Sequence, residues 1–209
     1  MATYLFDFDG TLVDSMYAYS ATMLRVLDEN EVVYPEDIIK IITPLGYGGA
    51  ADYFLSLGIK LTKEQMLEKF SEYSSYYYFN EIVTKPDVKE TLVELKARGH
   101  SLNVLTASPH TVLDPCLERN GVYDLFDNVW SCDDFNTTKS DPEIYRMAAS
   151  RLNTTVDKVI FLDDNYNADL TAKKAGMQVI GVYDSSSDEF VDEIKSVTDG
   201  YIYNFKELL

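Results

Sequence analysis

Cysteine is almost absent from this chain of 209 residues: Cys116 and Cys132 stand alone, without a C-x-x-C or a histidine at ligand spacing. That excludes a disulfide scaffold and a thiolate metal site and predicts two buried free thiols without a chemical role. Positive charge is the second shortage, with 18 Lys and Arg against 35 Asp and Glu and a formal net charge of -17. Such a surface repels phosphate backbones and anionic lipids, so nucleic acid and membrane are excluded as main partners. No basic stretch precedes the first apolar run and no run approaches a membrane span, so a signal peptide is not expected and a cytoplasmic location is. There is no internal repeat and no low-complexity tract. Histidine occurs only as His100 and His110. Both read as structural or exposed, and His110, close to Thr106, is the one worth testing.

What is present is apolar and aromatic: 46% hydrophobic and 13% aromatic residues can bury a sizeable core in one domain with an inserted subdomain. Three apolar runs end in polar residues: Tyr4 to Phe8 with Asp7 and Asp9, Ser101 to Leu105 before Thr106, and Lys158 to Leu162 before Asp163 and Asp164. Their separation by helical segments predicts an α/β fold with a parallel sheet, in which the carboxyl ends of the strands share one edge and their polar residues converge. Weaker strands are expected at Asn128 to Ser131, Val179 to Tyr183 and Tyr201 to Phe205. From 15 to 85 the chain reads helical throughout, too long for a simple crossover. It predicts an all-helical cap inserted into a core made of 1–14 and 86–209. Within it Asp14 and Ser15 are N-cap candidates, and Thr62-Lys63-Glu64-Gln65 resembles a capping box. Pro86 and Gly99 bracket a helix from Asp87 to Arg98. Ser185 to Ser187 reads as a loop, with Asp188 a cap for the helix through Ile194.

The segment Tyr4-Leu5-Phe6-Asp7-Phe8-Asp9-Gly10-Thr11-Leu12 sets two carboxylates two residues apart where an apolar strand breaks. A D-x-D-G-T string arises by chance in a chain this long on the order of a few times in a thousand. Such a pair, with Gly10 turning the backbone away, can bind a hard cation and leave one carboxylate to attack and the other to move protons. Asp163 and Asp164 would add negative charge to the same crevice, and four acids there call for a cation such as Mg2+; an acidic loop after a strand is the other reading of that pair. Thr106, before Ala107-Ser108-Pro109, either caps a helix or holds a phosphoryl oxygen with its hydroxyl and neighbouring N–H groups. Lys139, ahead of a helix capped by Asp141 with Pro142 in first position, is either solvated or a point charge beside a phosphate.

Taken in this order, the four segments resemble the haloacid dehalogenase-like superfamily of phosphohydrolases over essentially the whole chain. Asp7 to Ser15 looks like its first motif, Thr106 its second, Lys139 with Ser140-Asp141-Pro142 its third and Asp163-Asp164 its fourth. The helical insert after the first motif resembles the C1-cap branch, with phosphoglycolate phosphatases and β-phosphoglucomutases. The resemblance implies a Rossmann-like parallel-sheet core, a mobile lid, Mg2+, and hydrolysis of a small-molecule phosphomonoester through an aspartyl-phosphate, by a monomer or homodimer. It implies that Asp7 is the nucleophile and Asp9 the acid and then the base. Asp7, the Asp9 backbone carbonyl and Asp164 would hold the metal, with Asp163 as accessory acid. Asp9, Gly10, Thr106, Ala107 and Lys139 would surround the phosphoryl group. Many relatives carry a further Asp four residues past the metal ligand. That position is Ala168 here, so the neighbouring Asp169 is left out of the site.

Asp9 argues against halide displacement, because the dehalogenases of the family lack that second aspartate. A β-phosphoglucomutase-like phosphotransferase would carry an arginine-lysine-glycine signature in the cap, which is missing. A receiver-type phosphoacceptor domain also combines acids, Thr and Lys, but there the lysine comes last, whereas Lys139 precedes Asp163. Specificity belongs to the cap. There Gly46-Tyr47-Gly48-Gly49 reads as a flexible turn or as a loop that lowers Tyr47, with Gly48 as its pivot, onto the leaving group. Tyr73, Tyr76, Tyr77, Tyr78 and Phe79 read as cap core or self-association surface rather than a base-stacking pocket. The cap's cations are dispersed among acids, which disfavours a substrate with a second strong anion.

Overall fold

The computed structural model describes residues 1–209, the side chain of Pro44 excepted. The chain falls into two compact units, one of residues 1–14 and 83–209 and one of residues 15–82.

The first unit holds a six-stranded sheet of β1 (Thr3–Phe6), β2 (Ser101–Thr106), β3 (Asn128–Ser131), β4 (Val159–Asp163), β5 (Gln178–Val182) and β6 (Gly200–Ile202). Every pairing is parallel and the order is β3-β2-β1-β4-β5-β6. Parallel strands are covered on both faces, which is why they read as continuous apolar runs. Leu5, Phe6, Val104, Leu105, Phe161 and Leu162 have no exposed surface. The helices of this unit are α5 (Val88–Ala97), α6 (His110–Arg119), α7 (Pro142–Arg151), α8 (Tyr166–Ala175) and α9 (Val191–Val197). One buried cluster joins Ile144, Tyr145 and Ala148 of α7 to Leu5, Phe161 and Val179 of the sheet.

Register fixes where chemistry can sit. Phe6 of β1 stands between Val104 and Leu162, and Thr106 opposite Ser131, so the strands end along one edge. β1 stops two residues earlier than its apolar run suggests, because the loop curls on itself. Leu12 and Val13 both donate to the Phe8 carbonyl, at 2.9 and 3.1 Å, and the Gly10 amide donates to Val13 at 3.0 Å. Asp7 keeps one sheet bond, to the Leu162 carbonyl at 2.8 Å, so the first carboxylate is anchored just beyond the ladder.

Near β5 the expected cap is corrected. Asp188 does not cap the helix through Ile194: α9 has Phe190 at its N-cap with no side-chain bond, and Asp188 lies within a 3-10 segment, Ser185–Phe190, that Asp184 caps by accepting from the Ser186 amide at 2.9 Å. The side chain two residues before the donor amide has the reach for this bond.

The second unit is helical: α1 (Met16–Glu29), α2 (Ile38–Ile42), α3 (Gly46–Ser56) and α4 (Lys63–Asn80). Met23, Leu27, Ile42, Ala50, Phe54, Met66 and Phe70 form its own core. Thr62 and Gln65 close the capping box at the start of α4. Gly46 to Gly49 is not a flexible turn but the first turn of α3, a second correction. Burial of Ala50, Ala51 and Phe54 outweighs the weak helix propensity of three glycines. The absence of a side chain at Gly49 also suits its position, since a Cβ there would lie 2.9 Å from Leu45 Cβ. The Tyr47 ring is stacked between Tyr19 at 4.8 Å and Phe70 at 5.1 Å, inside this unit's packing. The aromatic run on α4 divides: Tyr73 is buried, Tyr76 and Phe79 are exposed, and the Arg25 guanidinium lies 4.0 Å from the Tyr73 ring centre.

Candidate active site

Three buried carboxylates meet at the carboxyl edge of the sheet: Asp7 after β1, Asp163 at the end of β4 and Asp164 just beyond it, with one oxygen of each within 4.8 Å of the others. The Lys139 ammonium enters this cluster and pairs with Asp7 and, at 2.8 Å, with Asp163. Its backbone is held from both sides. Asp141 caps α7 by accepting from the Glu143 amide at 2.9 Å, and the Tyr145 hydroxyl donates to the Lys139 carbonyl at 3.1 Å.

The two acids of the fourth segment have different partners. Asp163 accepts from Lys139 with one oxygen and from the Asn165 amide, at 2.8 Å, with the other. Asp164 accepts from the Thr11 hydroxyl at 3.0 Å. Gly10 passes so close that a Cβ would lie 2.6 Å from an Asp164 oxygen, and its φ is +74°. Only glycine meets both conditions without strain.

On the β2 side, Thr106 is buried and its hydroxyl oxygen accepts from the Ser108 amide at 3.1 Å, leaving its proton free to donate. Ala107 is exposed beside it. Half-buried Asp9 accepts from the Ser108 hydroxyl at 2.5 Å, a partner for which the sequence offered no role.

The electrostatics follow from burying several acids together. Burial raises the Asp7 pKa to about 7, with Lys139 opposing and Asp163 and Asp9 adding to the rise. Asp164 is pushed well above the usual range by burial and by Asp163, Asp7 and Asp184, against the bond from Thr11. For Lys139, burial pulls the pKa down, but Asp163 and Asp7 outweigh it and hold the ammonium charged.

Asp169, set aside on spacing, is buried and feels the charges of this group. It has no exposed surface and neither of its oxygens has a hydrogen-bond partner among the described residues. Burial, then Asp163 and Asp164, raise its pKa to about 10. The signal available in the sequence was an acid on the small-residue face of α8, among the buried Ala168, Ala172 and Ala175.

Hard oxygen donors, raised carboxylate pKa values and an unpartnered buried Asp169 are what a site for a divalent cation presents before the cation's charge is counted. Tyr47 and Gly48 lie in α3, where Tyr47 packs against the core of the helical unit and Gly48 faces open space.

This sheet order and an acid-lined carboxyl edge define an α/β enzyme of the doubly wound class. The family model for haloacid dehalogenase-like hydrolases matches residues 4–182, and the chain belongs to that family. Pyrophosphatase PpaX of Bacillus velezensis is 33% identical over 180 residues, covering 85% of this chain and 81% of that protein. A phosphoglycolate phosphatase of Colwellia psychrerythraea is 29% identical over 187 residues, covering 85% and 82%. Among solved structures, a Thermotoga maritima protein provisionally named a beta-phosphoglucomutase superposes with a TM-score of 0.88 at 26% identity, covering 100% of this chain and 97% of that one.

Proposed function

We propose that this protein is a Mg2+-dependent phosphatase that hydrolyses a small-molecule phosphomonoester through an aspartyl-phosphate on Asp7. The observation that carries it is Lys139 paired with both Asp7 and Asp163 inside a cluster of buried acids. The phosphatase names of the relatives support the same reaction class.

The Asp7 and Asp164 carboxylates and the Asp9 backbone carbonyl would hold Mg2+, which neutralises charge on the phosphoryl oxygens and so lets an anionic nucleophile approach. Lys139 opposes the rise that burial imposes on the Asp7 pKa and lies where the transferred group gathers negative charge. Thr106, with its free hydroxyl proton, and the Ala107 amide bind the phosphoryl oxygens beside Gly10, whose own amide is held by the Val13 carbonyl. An Asp7 oxygen forms a bond to phosphorus as the ester P–O bond breaks, and Asp9 gives its proton to the leaving oxygen. A water then attacks phosphorus, its proton passes to Asp9, and the Asp7–P bond breaks to release phosphate. Asp163, with both oxygens engaged, positions Lys139 and the loop after β4.

Multiple turnover of p-nitrophenyl phosphate with Mg2+, abolished reversibly by EDTA, is the direct test. Asp7→Asn and Asp9→Asn should each lower kcat by at least about a thousandfold while the circular dichroism spectrum is retained. Near-wild-type turnover by the Asp7 variant would overturn the mechanism, and a single labelling event without turnover would favour a phosphoacceptor domain. Ranking a panel of phosphometabolites by kcat/KM would then identify the substrate.

A further inference from the structure

Ser108 stands one residue before the N-cap of α6, and its hydroxyl takes no part in capping that helix. The N-cap of α6 is Pro109, with no side-chain capping bond, and the Ser108 hydroxyl instead donates to Asp9 Oδ2 at 2.5 Å. Two further constraints fix it there. Its amide donates to the Thr106 hydroxyl oxygen at 3.1 Å. Pro109 follows directly, and the residue before a proline is restricted to extended backbone. The link therefore spans two strand ends, from the loop after β2 to the loop after β1, and joins the Thr106 side chain to Asp9 through a single intervening residue.

We propose that Ser108 is a positioning residue for the proton carrier Asp9: it fixes the direction of the carboxyl group that must protonate the leaving oxygen and later take a proton from water. The inference rests on the assignment of Asp9 as that carrier. Without the hydroxyl the Asp9 carboxyl group is free to turn about its last torsion and is no longer held toward the leaving oxygen. Misalignment matters in proportion to how much help the leaving group needs. A nitrophenolate departs readily without a proton, whereas a phenolate or alkoxide does not.

The experiment compares wild type, Ser108→Ala and Ser108→Thr on p-nitrophenyl phosphate and on phenyl phosphate, with Mg2+. For Ser108→Ala, kcat/KM on phenyl phosphate is expected to fall about tenfold while that on p-nitrophenyl phosphate falls less than about threefold. Ser108→Thr, which keeps the hydroxyl, should restore the phenyl phosphate value. Equal losses on the two esters, or no rescue by threonine, would overturn the positioning role. If folded wild type turns over neither ester, the phosphatase reading falls and this inference with it. If wild type turns over both and Ser108→Ala is indistinguishable from it, only the role of Ser108 falls.

Discussion

Asp169 is a buried acid without a hydrogen-bond partner, and removing its charge should have opposite effects on metal-free and metal-loaded protein. In metal-free protein Asp169→Asn removes a group whose ionisation is opposed by burial, Asp163 and Asp164, so its melting temperature in EDTA at pH 8 should rise. With Mg2+ the variant loses nearby negative charge, and the Mg2+ concentration for half-maximal activity should increase about tenfold. Differential scanning fluorimetry and a Mg2+ titration check the two halves. A lower melting temperature in EDTA would show Asp169 to be a structural partner. The contrast with Asp7 and Asp9 is instructive about legibility. Those two were readable because a rare string marked them, whereas Asp169 looks like any helix-surface acid until the packing of α8 turns its face inward. Ser108 was invisible for a related reason, since hydroxyl partners a hundred residues distant leave no trace in local pattern.

Between elements, Lys85 is a second half-buried lysine that holds loops together. Its ammonium donates to the Gly10 carbonyl at 2.6 Å, the Tyr183 carbonyl at 2.5 Å and Asp184 at 3.0 Å. One side chain thus fastens the loop after β1 to the end of β5. Lys85→Met would leave two carbonyls and a buried carboxylate unmatched, and should lower unfolding free energy by about 2–3 kcal/mol in urea denaturation. A change below about 0.5 kcal/mol would mean that water replaces all three bonds. Neither Lys85 nor Asp184 stood out before the fold was known, because the pair is 99 residues apart in the chain. The strands themselves were legible as Val, Ile, Leu and Phe runs, and Thr62 with Gln65 marked a helix start through local bonding alone. What misled was glycine: the start of α3 reads as a turn by propensity, and tertiary burial of Ala50 and Phe54 decides otherwise.

For the molecule as a whole, the buried acids make stability depend on pH in a definite direction. Asp7 and Asp169 have folded-state pKa values raised to about 7 and about 10, from 3.8 for both. Between the ordinary value and the raised one the folded protein holds protons that the unfolded chain has released, so stability falls as pH rises, by up to about 1.4 kcal/mol per pH unit for each such group. Lys139 works outside this window, because its raised pKa keeps its contribution through neutral pH. Melting temperature in EDTA should therefore decline from pH 5 to pH 9, and the increase produced by Mg2+ should be larger at pH 8.5 than at pH 6. A flat or rising profile in EDTA would contradict the assignment of raised values. The parallel α/β sheet was legible in outline from the spacing of three apolar runs, whereas the strand order left no mark in any single run. The convergence at one edge followed from the parallel arrangement rather than from any residue in particular.

The order of strands also governs how the protein is made. β1 lies between β2 and β4, which begin at Ser101 and Val159, so the strand leading into Asp7 is synthesised long before either neighbour. At ribosomal speeds of roughly 5–20 residues per second, β4 follows β1 by on the order of ten to thirty seconds. For that interval Leu5 and Phe6, which end with no exposed surface, have no sheet to join, and Asp7 has neither Lys139 nor Asp163 beside it. The nascent chain thus carries Asp7 early and completes its surroundings late. The cluster of buried acids around Lys139 closes only after Asp163 and Asp164 have left the ribosome.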